Sequence, residues 1–235
     1  AILLRRLVDQ GHLAPIEGLH KIYRVTSPFA AQEPVLEEEI LMELHPYAAL
    51  SHHTALVFHG LTHDEPQAIY MLAPTETPSG ALPIGTTAQD WEGLSLAQGR
   101  VVKQLHGHPI HWYRPAPDRV VGLEEYRPHK YPVRVTTPER TLLDGLERPD
   151  TCGGMATVLR AWRLHRDLLD VSNMVRLVDA LGIGVLRQRA GFLLEQLAFT
   201  HPVFDSWAAQ ATRGGSSRLS AKEPYASTFN ERWKL

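Results

Sequence analysis

Between residues 31 and 99 the chain carries ten acidic side chains and not one Lys or Arg. A stretch of that length at a net charge of −10 constrains the fold more than any single motif, because its charge has to be balanced by the segments around it. Residues 1–30 hold four Lys/Arg against two acids, and residues 100–140 hold eight against four. The formal net charge of −2 therefore conceals a basic start, an acidic first third and a basic middle. A protein that tracked nucleic acid along its whole length would not carry so long a run without a cation, so any contact with DNA is local. The six cations Arg114, Arg119, Arg127, Lys130, Arg134 and Arg140 are read first as solvated charge that offsets the acidic run within one body, the alternative being a surface that extends a nucleic-acid footprint.

Composition sets the outer limits. With 235 residues, 43% hydrophobic and 21% charged, the chain is long enough for one large domain or two modest ones, and it is neither collagen-like nor disordered. Cys152 is the only cysteine, which excludes an internal disulfide and any multi-cysteine zinc or iron–sulfur site. No apolar run approaches the roughly 20 residues that span a bilayer, and Arg5, Arg6 and Asp9 interrupt the leucines of the first segment as no signal peptide would. A cytoplasmic location without membrane contact is the expectation.

Hydrophobic periodicity predicts an α+β protein. Leu4, Leu7 and Val8 lie on one helical face, and Gly11 is the natural stop. Two short strands follow, residues 12–16 and 20–25, around a Glu17-Gly18 turn. A helix, a glycine and a ribbon with a basic second strand form the back half of a winged helix–turn–helix. Its supporting helix is missing, because the chain opens inside the helical pattern at Ala1 without an initiator methionine. The native protein is therefore expected to extend further forward. Residues 27–34, rich in Pro and small side chains, read as a linker, which gives two units: residues 1–27, a partial winged helix–turn–helix, and residues 28–235, a mixed α/β body.

In that body, Leu36, Ile40 and Leu44 mark a helix that stops before Pro46. Ser51 caps a second, which runs to Gly60. Residues 67–73 read as a strand and residues 74–87 as an irregular loop. Residues 100–106 and 110–114 form a strand pair turning at Gly107-His108-Pro109, and residues 131–135 a further strand. Thr136-Thr137-Pro138-Glu139-Arg140 opens a helix, with Thr at the cap, Pro in the first turn and Glu at the positive end of the dipole. Helices around residues 155–162, 171–181 and 185–199 complete a C-terminal cluster. The tail over 211–229 reads as loop, and residues 230–235 as a closing strand.

Thirteen histidines raise the question of a metal. His52, His53, His59 and His63 fall within twelve residues, and His106, His108 and His111 form a second group. Gly60 ends the first helix before His63 can share its face, and His111 points away from His106 and His108 in a strand. No metal and no cofactor are therefore assigned, and His59 is read as a partly buried, hydrogen-bonded side chain. A metal-dependent hydrolase or nuclease in which these histidines converge is the alternative. Gly214-Gly215-Ser216-Ser217 lacks the Asp-x-Asp of nucleotidyl transfer, no Walker loop is present, and Cys152 has no neighbouring histidine to activate it. No catalytic residue is assigned.

The sequence resembles AbiEi-type antitoxins along nearly its whole length. Ser51-His52-His53-Thr54-Ala55-Leu56 with His59-Gly60-Leu61 is similar to one of that family's segments. Thr137-Pro138-Glu139-Arg140-Thr141-Leu142-Leu143-Asp144 is similar to its most specific one. Gly153-Gly154 and the Gly11-His12-Leu13 junction are also in place. The resemblance implies a non-catalytic antitoxin of a type IV toxin–antitoxin, abortive-infection operon. It implies a winged helix that binds inverted repeats in the operon's own promoter and represses it. The C-terminal domain would counteract a nucleotidyltransferase toxin without forming a stable complex. On this reading the DNA-binding residues are Arg5, Arg6, Lys21 and Arg24, with His20 and His12 as weaker candidates.

Overall fold

The computed structural model describes residues 2–26, 35–77, 80–129, 131–214, 218–220 and 228–235. The linker expected at 27–34, Lys130 of the second basic group and Gly215, Ser216 and Ser217 lie outside the described residues, as does part of the tail.

Helix α1 (Ile2–Asp9) leads into an antiparallel ribbon of β1 (Leu13–Pro15) and β2 (Tyr23–Val25), in which Ala14 pairs with Arg24. Gly11 ends the helix at φ +75°, with its own N–H on the Val8 carbonyl at 3.0 Å and the His12 N–H on the Leu7 carbonyl at 2.9 Å. This is a Schellman cap, whose left-handed residue is best supplied by glycine. The ribbon is docked: Ile22 is 7% exposed and joins the apolar cluster of the sheet, and Ile16 and Leu19 pack on the same cluster. Helix α1 itself buries no side chain.

The body is built on a six-stranded mixed sheet. Its strands are β3 (Ala49–Leu50), β4 (Ile69–Leu72), β5 (Gln104–Leu105), β6 (His108–Tyr113), β7 (Leu123–Tyr126) and β8 (Val133–Thr136), in the order β5-β6-β4-β3-β8-β7. The β4–β6 and β3–β8 pairs are parallel and the others antiparallel. Helix α2 (Glu37–Leu44) lays Ile40, Leu41, Met42 and Leu44 against Leu50, Met71, Val133 and Val135, which forms one core. Helices α4 (Pro138–Glu147), α5 (Met155–Leu164), α6 (Val171–Leu181), α7 (Gly184–Gln196) and α8 (Val203–Ala209) enclose a second, with Trp162, Trp207 and Trp233 buried in it. Helix α3 (His52–Phe58) joins the two, with Ala55 in the sheet core and Leu56 in the helical one.

The α+β class and the C-terminal helical cluster follow the sequence reading, with five local differences. The two-residue turn before β6 falls at His106-Gly107, not at residues 107–109, because both take positive φ (46° and 89°), as a tight hairpin of this type requires. Strands β3 and β7 and helix α8 were not anticipated. The anticipated strand at 230–235 is instead a turn, closed by the Asn230 N–H on the Leu235 carbonyl at 2.8 Å and held by Trp233. Among the described residues no helix is long and apolar enough to cross a membrane.

Candidate nucleic-acid interface and buried polar network

The sequence-predicted cations lie on two adjoining elements. Arg5 and Arg6 are exposed on α1, whose amide ladder and cap bring it against β1. His20 and Lys21 are exposed in the loop between the ribbon strands, and Arg24 is half-buried on β2. Lys21 takes a left-handed backbone at φ +61°, next to Ile22, which is buried. Local sequence gave no sign of a further cation here: the Arg100 guanidinium donates from Nη1 to the His20 carbonyl at 2.8 Å, across 80 residues of chain.

The second basic group is dispersed. Arg134 donates to Glu125 Oε1 at 2.7 Å and to the Pro46 carbonyl at 3.1 Å, and Arg114 donates to the Thr75 carbonyl at 3.3 Å. Arg127 is exposed, and Arg140 is completely buried.

That burial explains why the Thr-Pro-Glu-Arg segment takes the form it does. Thr137 caps α4, its Oγ1 accepting from the Arg140 N–H at 3.3 Å, and its own N–H donates to the Gly122 carbonyl at 2.8 Å. Arg140 Nε donates to Asp144 Oδ1 at 2.7 Å, one helical turn on, while Nη1 donates to the Arg119 and Val121 carbonyls, each at 2.9 Å. The loop before β7 is thereby stapled to the central helix. Thr141 Oγ1 meets Thr136 Oγ1 at 2.7 Å, and Asn173 on α6 donates to Glu139 Oε2 at 3.3 Å. Every α4 residue from Glu139 to Leu146 is buried. A signature that reads as polar is thus a buried scaffold, not a reactive surface.

The histidines do not converge. His52 Nδ1 lies 2.9 Å from Ser51 Oγ, His53 Nε2 lies 2.9 Å from the Asp64 carbonyl, and His59 Nε2 lies 2.7 Å from the Thr136 carbonyl, while His63 is exposed. His59 is half-buried and hydrogen-bonded, as its sequence context implied, and burial lowers its pKa. His106 Nδ1 and His108 Nδ1 lie 3.0 and 3.2 Å from the two carboxylate oxygens of Glu37, and His111 stacks on Tyr70. Glu37 was not found from the sequence, since it stands 69 positions before His106. Among the described residues no group of three or more His, Cys, Asp or Glu side chains is disposed to hold a metal.

The buried pair of Ser51 and His52 is closed to solvent, at 0% and 2% exposure. Cys152 is also fully buried, and burial pushes its thiol pKa up, with the Asp144 carboxylate adding to the effect. A thiol held protonated is a poor nucleophile.

Comparison with known proteins agrees with this body plan. The RV2827C protein of Mycobacterium tuberculosis, known from a crystal structure, superposes with a TM-score of 0.59 at 16% sequence identity. The alignment covers 100% of this chain and 78% of that one, and at this identity it speaks for the fold alone. No curated protein matches the chain. The AbiEi antitoxin C-terminal domain family matches residues 47–196, from the β3 strand through the stapled α4 helix to the end of α7. With more than half of its residues matched, the chain belongs to the AbiEi antitoxin C-terminal domain family.

Proposed function

We propose that this chain is the antitoxin and DNA-binding autorepressor of a type IV toxin–antitoxin operon. Residues 1–27 contact inverted repeats in the operon's own promoter, and residues 28–235 form the body that counteracts a nucleotidyltransferase toxin without a lasting complex. The protein carries out no catalysis and works in the cytoplasm. The observation that carries the DNA half of this reading is that exposed Arg5, Arg6, His20 and Lys21, with half-buried Arg24, all stand on one short helix–ribbon unit, next to a body in which Arg134 and Arg140 are engaged. The antitoxin half rests on the family. The alternative of a histidine-based metal hydrolase is not favoured by the geometry: His52, His53 and His59 bond to separate partners, and His106 and His108 meet only on Glu37.

Titration of the full-length protein against a labelled duplex from the DNA upstream of its own reading frame tests the DNA half. Affinity should fall steeply between about 50 and 200 mM salt, and Lys21→Ala should reduce the slope of log K against log salt by about 0.9. Salt-independent binding, or none, counts against the reading. Co-expression with a nucleotidyltransferase encoded beside it tests the antitoxin half, with rescue of growth as the expected outcome.

A further inference from the structure

We propose that Arg100 is a further DNA-contacting cation, contributed by the antitoxin body to the tip of the N-terminal ribbon. The inference rests on the reading above, that residues 1–27 meet DNA.

Arg100 is the first cation after the long acidic run. Its backbone N–H donates to the Leu44 carbonyl at 2.8 Å, which ties it to the last turn of α2, a helix anchored in the sheet core through Ile40, Leu41, Met42 and Leu44. From that fixed point its side chain reaches the His20 carbonyl at 2.8 Å. The contact is exposed, and among the described residues the guanidinium makes no other hydrogen bond and no ion pair. A guanidinium carries five N–H donors in a planar fork, so one bond to a carbonyl leaves donors enough to grip a phosphate through two oxygens. The residue after His20 is Lys21, itself exposed. Two cations thus stand together at the ribbon tip, one from each unit, and Ile22 beside them is buried in the body. Neighbouring exposed cations without an acidic partner among the described residues suit a polyanion.

Arg100→Gln is the decisive variant, since it removes the charge on a shorter polar side chain, while Arg100→Lys keeps the charge and loses the planar fork. With the full-length protein and the labelled upstream duplex, its salt slope should be lower than wild type by about 0.9, so that from about 50 to 200 mM salt the wild type loses about 3.5-fold more affinity than the variant. Arg100→Lys should keep the wild-type slope. A wild-type slope in Arg100→Gln overturns the inference, whatever happens to affinity at one salt concentration, because the residue then only positions the ribbon. Lys21→Ala separates the two ideas. If it lowers the slope and Arg100→Gln does not, only the role of Arg100 fails. If neither changes it, the N-terminal reading fails as well.

Discussion

Arg140 and Asp144 show how a residue pattern misleads when read alone. An Arg and an Asp four apart on a helix normally mark a solvated face, worth a few tenths of a kcal/mol. Here their side chains are 0% and 1% exposed, and Arg140 Nη2 and Asp144 Oδ2 have no hydrogen-bond partner among the described residues. Desolvation of two charges is offset by their mutual contact and by the two carbonyls that Arg140 holds. Removing one partner leaves the other charge buried alone. Arg140→Met should therefore cost about 3–5 kcal/mol, and Arg140→Met combined with Asp144→Leu distinctly less than either single change. Urea unfolding of the three variants checks this, and a double variant as unstable as the sum of the two singles contradicts it. The capping signals around Thr137 and Pro138 are local and could be read directly from the sequence. The burial of the motif was not, because it depends on carbonyls at Arg119 and Val121 that approach only once β7 and β8 have paired. The Glu37 clasp on His106 and His108 was hidden for the same reason.

Among the elements, those with a long apolar period were legible. Helices α5, α6 and α7 fall close to where their spacing places them, with Gly182 ending α6 at φ +64°. Short or atypical elements were not. Strand β3 has two residues, and β7 reads Leu-Glu-Glu-Tyr, with both glutamates exposed at the sheet edge, so neither shows a period. The end of the chain misled in a different way. Its β-favouring Trp233 is not in a strand but is inserted into the helical cluster, with Nε1 donating to Glu195 Oε2 at 2.6 Å and its carbonyl accepting from Gln188 Nε2 at 2.8 Å. Helix α7 receives the ring only because it has no side chain at residue 191: a Cβ there would stand 2.1 Å from the Trp233 ring. Gly191→Ala should therefore expel the Trp233 segment, although alanine by itself favours the helix by about 1 kcal/mol. Limited proteolysis should cut the C-terminal residues faster in the variant, with a red shift in tryptophan emission. Unchanged cleavage and emission would show that the ring shifts within its pocket and the segment stays docked.

At the scale of the whole molecule, the two cores meet at α3, which buried His52 opens and half-buried His59 closes. A third histidine, buried His45, caps α2 beside Tyr47 and Trp112. Burial lowers the pKa of all three below the ordinary 6.5; the Asp144 carboxylate at His52 and the Thr136 carbonyl at His59 only partly oppose this, and His45 Nδ1 has no partner among the described residues. The sign follows from linkage. Below about pH 6.5 the unfolded chain binds protons at these sites that the folded chain does not, so stability is complete above that pH and declines as pH falls through it. Each histidine removes up to about 1.4 kcal/mol per pH unit until its own folded pKa is reached. Glu147, whose carboxyl burial raises above its ordinary 4.5, has the opposite sign: its neutral form favours the fold at low pH, and that contribution fades as pH rises through its folded pKa. Three histidines against one carboxyl leave the net slope downward on the acid side of pH 6.5. The urea midpoint should therefore drop between about pH 7.5 and about pH 5.5, and His59→Gln should make that drop shallower. A flat wild-type profile would mean that these histidines titrate in the fold as they do in the unfolded chain, against their burial. A steep profile that His59→Gln makes shallower ties part of the acid sensitivity to the residue that closes α3, the helix with Ala55 in the sheet core and Leu56 in the helical one.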